Sequence, residues 1–318
     1  MSYSRKCINI VNEEFEAKRQ KNESQRIARL NEAYSKIPEL KAIDKELAKT
    51  GVNAMACAMG GREGLQERLN ALKETNFELQ KARAELLKAG GYDESYTDMK
   101  YDCPLCQDYG AYNGKMCSCY KSRIIEEQFK QSGISNLVKT QNFETFSLEL
   151  CKDNERMEAV LQFAKKYVTN FETTKGSVLM VGGTGLGKTH LSTAIAKELI
   201  ESGYNVIYET AQNIFFDFEK DRFLDRFGGE EPVSTKYLDC DLLIIDDLGA
   251  ENVTSSSVSF LYNIINTRLN KNLPTIANTN FIAKELMKKY HERITSRLFG
   301  EFFILKFSGE DMRKLKKQ

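Results

Sequence analysis

No tryptophan occurs anywhere in the 318 residues of the chain. The largest aromatic surface for stacking on an unpaired base is therefore missing, although 14 tyrosines and 18 phenylalanines remain. Net charge is nearly absent as well, with 46 Lys and Arg standing against 45 Asp and Glu. No global field draws the chain to a polyanion, so any such contact must come from a local patch. No apolar run approaches the roughly 20 residues needed to cross a bilayer. The opening Met1-Ser2-Tyr3-Ser4-Arg5-Lys6-Cys7 lacks the apolar core of a secretion signal. The expectation is a soluble, cytoplasmic protein without a membrane partner. Repeats and long low-complexity segments are missing too. In a reducing cytoplasm the eight cysteines argue against a disulfide framework, and where they cluster they point to a metal.

The length suits two domains, or one domain with a substantial appendage. Residues 1–92 are charged, poor in proline and helical in pattern, with Pro38 placed to begin a helix. Between Gly60-Gly61 and Gly90-Gly91, Leu65, Leu72, Leu79 and Leu86 recur every seven residues, with Leu69 beside them. This narrow seam either packs within a local helical hairpin or docks a partner protein, and the two are compatible. Three heptads are too few to argue for a coiled-coil dimer. Residues 93–135 hold a compact cysteine cluster and a linker. Residues 136–318 alternate strand-like and helix-like runs, the pattern of an α/β domain with a parallel sheet. A lead-in helix carries Met157, Val160, Leu161, Ala164 and Val168 on one face, and strands are expected at 177–181, 205–209, 241–246, 274–278 and 302–307.

Cys103-Pro104-Leu105-Cys106 is followed, after ten intervening residues, by Cys117-Ser118-Cys119. Four thiolates satisfy tetrahedral zinc, and C-x₂-C is a standard half-site, whereas C-x-C is tighter than usual. Asp108, Gly110 and Gly114 supply the turns of a short knuckle. Few apolar residues surround them, so a metal would provide the folding energy. Structural zinc is the leading reading, with an iron–sulfur cluster or a redox dithiol as alternatives. Cys7, Cys57, Cys151 and Cys240 stand alone and read as buried or incidental thiols.

The most informative run is Gly182-Gly183-Thr184-Gly185-Leu186-Gly187-Lys188-Thr189, which has the form G-x-x-x-x-G-K-[ST]. The apolar residues 177–181 lead into it and a helical pattern starting at His190 leads out. That strand–loop–helix context predicts a nucleoside triphosphate cradle, with backbone N–H groups turned onto phosphate. Lys188 is expected to reach the β- and γ-phosphates and Thr189 to ligate Mg²⁺. Asp241-Leu242-Leu243-Ile244-Ile245-Asp246-Asp247 reads as a buried strand with two acids at its C-terminal end, where α/β ligands sit. Asp246 is expected to hold Mg²⁺ directly or through water, and Asp247 to polarise the attacking water. Asn280, after the next strand, is placed to contact the γ-phosphate or that water. Arg293 and Arg297 lie four apart on one helical face.

Taken together, these motifs resemble the AAA+ ATPases of the bacterial replicative helicase loaders, the DnaC/DnaI type, whose core the IstB-like insertion-sequence helpers share. The knuckle followed by the ATPase is similar to the Gram-positive loaders in particular. The resemblance covers roughly residues 100–313 and implies a AAA+ P-loop sheet flanked by helices, behind a helical N-terminal region and a small zinc knuckle. It implies ATP, Mg²⁺ and Zn²⁺ as cofactors. Gly182 to His190 and Asp246 would bind nucleotide and Mg²⁺, and Asn280 would serve as sensor 1. Arg297 would be an arginine finger acting on the neighbouring subunit's ATP, and Arg313 sensor 2. Such a finger makes hydrolysis depend on assembly, because it neutralises transition-state charge. The implied partners are the hexameric replicative helicase, single-stranded DNA and further copies of the chain. Asp247 stands where many AAA+ proteins have Glu; one methylene less fits a slow, switch-like ATPase. A transposition helper assembling on DNA, and a nucleotide-gated binding module with negligible hydrolysis, are the alternatives.

Overall fold

The computed structural model describes residues 3–59, 64–148, 154–224 and 232–309, with the side chains of 51–59, 154 and 224 set aside. Two compact units emerge: Asn12–Tyr120, and Lys121–Gln318 together with the residues up to Val11.

The Asn12–Tyr120 unit is built from three helices and a hairpin. α1 (Arg5–Lys36) starts in the other unit; α2 (Pro38–Met59) follows after one residue, and α3 (Leu65–Ala89) runs to Gly90. Ala33, Ile37, Leu40 and Leu87 form a small buried core, with Tyr34, Leu86 and Tyr92 against it. The Arg83 guanidinium joins α3 to α2 by donating to Asp44 at 2.6 Å, and Asn76 donates to Thr50 at 2.7 Å. Leu65, Leu69, Leu72, Leu79 and Leu86 are each half-buried on α3. The heptad seam is therefore the inner stripe of a helical hairpin. β1 (Ala111–Tyr112) and β2 (Lys115–Met116) form a short antiparallel hairpin between the two cysteine pairs.

The larger unit begins with α4 (Ser118–Gln131), whose first residues belong to the other unit. Next come α5 (Asn154–Thr169), α6 (Phe171–Thr174), β3 (Ser177–Val181), α7 (Lys188–Glu201), β4 (Val206–Thr210) and α8 (Ala211–Leu224). They are followed by α9 (Thr235–Asp239), β5 (Leu242–Asp246), α10 (Ser255–Asn270), β6 (Thr275–Thr279), α11 (Ala283–Lys289), α12 (Glu292–Gly300) and β7 (Phe302–Lys306). All five expected strands are present, with ends displaced by at most one residue. They form one parallel sheet in the order β4-β5-β6-β3-β7. The parallel sheet flanked by helices that was expected of residues 136–318 is therefore present.

Strand alternation builds two cores, one on each face. Val178, Met180, Ile244 and Ile276 face one layer, covered by Val160, Leu161 and Ala164 of α5 and Leu191, Ile195 and Leu199 of α7. Leu179, Leu243, Ile245 and Ala277 face the other, covered by Ile214 and Phe215 of α8, Leu261 and Ile264 of α10, and Leu298 of α12. The β4 edge is closed by the segment after α4, where Tyr208 N–H donates to Ser132 O at 3.1 Å. Arg268 is fully buried at the opposite end of the sheet from the P-loop. Its guanidinium donates to Tyr237 O, Cys240 O, Pro274 O and Thr275 Oγ1 at 2.7–3.0 Å, stitching α9 to the starts of β5 and β6. Cys7 and Cys240 are buried, as isolated thiols were expected to be; the side chains of Cys57 and Cys151 lie outside the described residues.

Candidate functional site

The C-terminal ends of β3, β5 and β6 converge on a cavity of about 450 Å³. The loop 184–190 forms its floor; Asp247, Ala250 and Asn280 close one side, and Thr140 and Gln141 line it as well. The loop's shape comes from its glycines. Gly185 and Gly187 have φ of 77° and 92°, the left-handed region that glycine enters without penalty. A Cβ on Gly182 would lie 2.5 Å from Phe307 O, so no larger residue fits there. Gly183, Thr184 and Leu186 complete the turn, and α7 starts at Lys188 directly behind it.

Lys188 is buried and donates through Nζ to Gly182 O, Gly183 O and Asn280 Oδ1, each at 2.7 Å. Asn280 in turn donates through Nδ2 to Asp247 Oδ1 at 3.3 Å. Lysine, asparagine and the second acid thus form one connected chain along the cavity wall. Asp247 has φ of 53°, an uncommon conformation for a residue with a side chain. It is followed by Leu248, whose N–H donates to Asn278 O at 2.8 Å.

Asp246 is buried beside this chain, and both of its carboxylate oxygens accept hydrogen bonds. Oδ2 accepts from Tyr208 OH at 2.6 Å and from Thr189 Oγ1 at 3.2 Å. Oδ1 accepts from Asn278 Nδ2 at 2.9 Å and from the Asp247 N–H at 3.1 Å. Burial and the adjacent Asp246 carboxylate push the Tyr208 phenol well above its ordinary value, so it is a donor at neutral pH. Because Thr189 gives its proton to Asp246, its oxygen lone pairs are left for a cation. A hydroxyl oxygen beside a carboxylate is the oxygen chemistry that Mg²⁺ takes, so these residues fit that ion.

Tyr208 and Asn278 carried no motif. The available signal was only a polar group at a position of a buried strand where a hydrocarbon is the default. His190 also lines the cavity, but its Nε2 lies 2.9 Å from Asn142 O and 3.2 Å from Thr145 Oγ1. Its ring stands edge-on to Phe146, so it secures the 142–146 segment. Arg297 is not among the residues lining the cavity. It lies against α10, donating to Asn266 Oδ1 at 3.0 Å and Tyr262 OH at 3.2 Å, with its guanidinium over the Tyr262 ring. Arg293, one turn earlier, is exposed and accepts from Arg297 through its carbonyl at 2.9 Å. Arg313 lies outside the described residues.

In the smaller unit the Sγ atoms of Cys103, Cys106, Cys117 and Cys119 all lie within 4.8 Å of one another. Cys103 and Cys117 are 3.8 Å apart, and Cys106 and Cys119 are 3.5 Å apart. Sulfurs around tetrahedral zinc at about 2.3 Å sit roughly 3.8 Å from each other, so the cluster fits that ion, including the tight C-x-C half. The Cys106 backbone N–H lowers the Cys103 thiol to about 7, while burial pushes the Cys106 and Cys119 thiols up. Asp108 is fully buried at the base of the knuckle. It accepts from the Cys103 N–H at 2.9 Å, the Asp102 N–H at 3.0 Å and Asn22 Nδ2 at 3.0 Å. Its φ of 61° and the φ values of 76° and 72° at Gly110 and Gly114 make the expected turns.

The IstB-like ATP binding protein family matches residues 121–318, well over half of the chain. The chain belongs to this family. Within that similarity, it is 29% identical over 174 residues to the replicative helicase loader DnaC of Escherichia coli K12, covering 55% of this chain and 69% of that protein. It is 28% identical over 218 residues to the phage-like element PBSX protein XkdC of Bacillus subtilis 168, covering 63% of this chain and 79% of that protein. A crystal structure of the DnaC helicase loader aligns with a TM-score of 0.48 at 22% identity, covering 54% of this chain and 99% of that one. Among the described residues, no helix is long and apolar enough to cross a membrane.

Proposed function

We propose that this IstB-like ATP-binding protein is a replication ATPase that binds the hexameric replicative helicase and helps place it on single-stranded DNA. ATP binding and hydrolysis would serve as the switch. The observation that carries the ATP reading is the chain Lys188–Asn280–Asp247 along a glycine-lined cavity. The loader reading is supported by the similarity to DnaC and by a helical unit with four clustered cysteines ahead of the ATPase.

Lys188 exchanges its Gly182, Gly183 and Asn280 partners for β- and γ-phosphate oxygens when nucleotide enters. The freed Asn280 carboxamide and Asp247 then hold the lytic water in line with the γ-phosphorus. Attack forms a new P–O bond while the bond to the β,γ-bridging oxygen breaks, leaving ADP and phosphate. Thr189 and Asp246 hold Mg²⁺, which when bound neutralises charge on the β- and γ-phosphate oxygens. Arg297, seated on α10 away from its own cavity, serves the neighbouring subunit, so turnover depends on self-association. Arg313 acts as sensor 2. Cys103, Cys106, Cys117 and Cys119 hold a structural zinc, and the unit they brace grips the helicase.

Co-purification with the host's replicative helicase, followed by a strand-loading assay, tests the reading. Wild-type protein should recover the helicase and stimulate its loading, and Lys188→Ala should bind ATP at least tenfold more weakly and fail to load. Recovery of a transposase in place of the helicase would overturn it.

A further inference from the structure

Asp246 sits between two side chains that no motif announces. Strand pairing sets Tyr208 of β4 beside Ile244 of β5, and Ile276 of β6 beside Ile244 on its other flank. Alternate residues share a face, so Asp246 and Asn278 lie on the same face as Ile244 and Tyr208. Tyr208 therefore reaches along the sheet from one side, while Asn278 flanks Asp246 from the other. Tyr208 donates to Oδ2 at 2.6 Å and Asn278 to Oδ1 at 2.9 Å, one buried donor for each carboxylate oxygen. A carboxylate offers about four lone-pair positions. Tyr208, Asn278 and the Asp247 N–H fill three of them. The fourth faces Thr189 Oγ1, whose contacts to the two carboxylate oxygens, 3.2 and 3.5 Å, are the longest of the set.

We propose that Tyr208 is a positioning residue for the divalent cation. Together with Asn278 it locks the Asp246 carboxylate so that only the position on the Thr189 side is open to the cation or to a water bound to it. This inference rests on the reading of Asp246 and Thr189 as the Mg²⁺ pair. It deepens that reading by assigning the cation's affinity to a phenol that touches neither metal nor nucleotide. Phenylalanine at position 208 would keep the buried ring and its packing but leave Oδ2 held by Thr189 alone. The carboxylate would then be fixed chiefly through Oδ1, by Asn278 and the Asp247 N–H, and Oδ2 could swing out of the orientation that faces Thr189. Partners that orient a metal-binding carboxylate typically change metal affinity by about 10–100-fold.

The test uses the full-length protein, a fluorescent ATP analogue, and Mn²⁺ binding in the presence of ADP followed by electron paramagnetic resonance. Tyr208→Phe should raise the half-saturating Mg²⁺ and Mn²⁺ concentrations by about tenfold or more. Nucleotide binding in EDTA should stay within about twofold of wild type, a split that general loosening of the fold would not give. Asn278→Ala should shift the cation in the same direction, which covers the case in which Tyr208→Phe does not fold. Unchanged cation binding in either folded variant overturns the inference. Asp246→Asn separates the two levels: if it too leaves cation binding unchanged, the Mg²⁺ reading of Asp246 itself falls. If Asp246→Asn weakens the cation and Tyr208→Phe does not, only the role of Tyr208 falls.

Discussion

Removing the Asp108 carboxylate should unlock the cysteine knuckle, by an amount that depends on the replacement. In Asp108→Ala the Cys103 N–H and Asn22 Nδ2 lose their acceptor in a site from which Asp108 itself is fully excluded from water. A buried donor left unsatisfied costs about 1–3 kcal/mol. The Asp102 N–H loses the same acceptor, but Asp102 is exposed and water can replace it at little cost. Alanine must also adopt φ of 61°, which costs a residue with a Cβ about 1 kcal/mol more than glycine. The expected loss is about 3–7 kcal/mol for Asp108→Ala and about 1 kcal/mol less for Asp108→Gly. Asp108→Asn keeps one acceptor oxygen and tolerates the left-handed backbone, so about 1–2 kcal/mol is expected. Urea unfolding of the zinc-loaded protein, read alongside zinc release to a chromogenic chelator, orders the three. An alanine variant within 1 kcal/mol of wild type, or a glycine variant no better than alanine, would refute the reasoning.

Arg297→Ala should leave ATP affinity unchanged and remove assembly-stimulated turnover, because the side chain rests on Tyr262 and Asn266 away from its own cavity. An equal loss of ATP binding would mean that it acts within its own subunit. Arg268→Leu removes the guanidinium from four buried oxygens at once, of which Pro274 O keeps the Leu243 N–H, and should lower stability by about 3–5 kcal/mol in a thermal or denaturant melt. A loss under 1 kcal/mol would show that those carbonyls find other partners. Acidification should release the knuckle metal. The folded chain lowers the Cys103 thiol to about 7, so the thiolate's contribution is full above the ordinary thiol range and is lost as pH falls from there through about 7. Metal analysis after dialysis at pH 8 and at pH 5 should find zinc at the first and little at the second; equal retention would argue against thiolate ligation.

Much of the site is legible in the primary structure because its signals are local. The apolar run Leu242–Ile245 must be a buried strand, and acids directly after it must emerge at its end. The glycines before Lys188 are read from their spacing because the loop's left-handed residues admit little else. The four cysteines need only their own spacing and turn residues to bring their sulfurs within 4.8 Å. Those patterns are enough to point to a nucleotide cradle, a pair of acids and a cysteine cluster that fits a metal, and the seven-residue recurrence of Leu65, Leu72, Leu79 and Leu86 marks the stripe that α3 half-buries.

What the local patterns could not carry is which elements become neighbours. Tyr208 touches Asp246 because β4 pairs with β5, and Asn278 reaches it from the other flank because β6 does. His190 stands in the phosphate loop's own helix, yet it faces Asn142, since the 140–146 segment folds over that side of the cavity. Arg268 belongs to no motif, and only the packing shows it as the buried clasp of two strand starts. Likewise the seat of Arg297 against α10 is set by the packing of α12, and α1 up to Val11 groups with residues more than a hundred positions away. Strand order and helix packing are decided by burial summed over the whole domain, a non-local quantity. The chain's residue order therefore determined the chemistry it could perform, and the tertiary structure decided which side chains hold that chemistry in place.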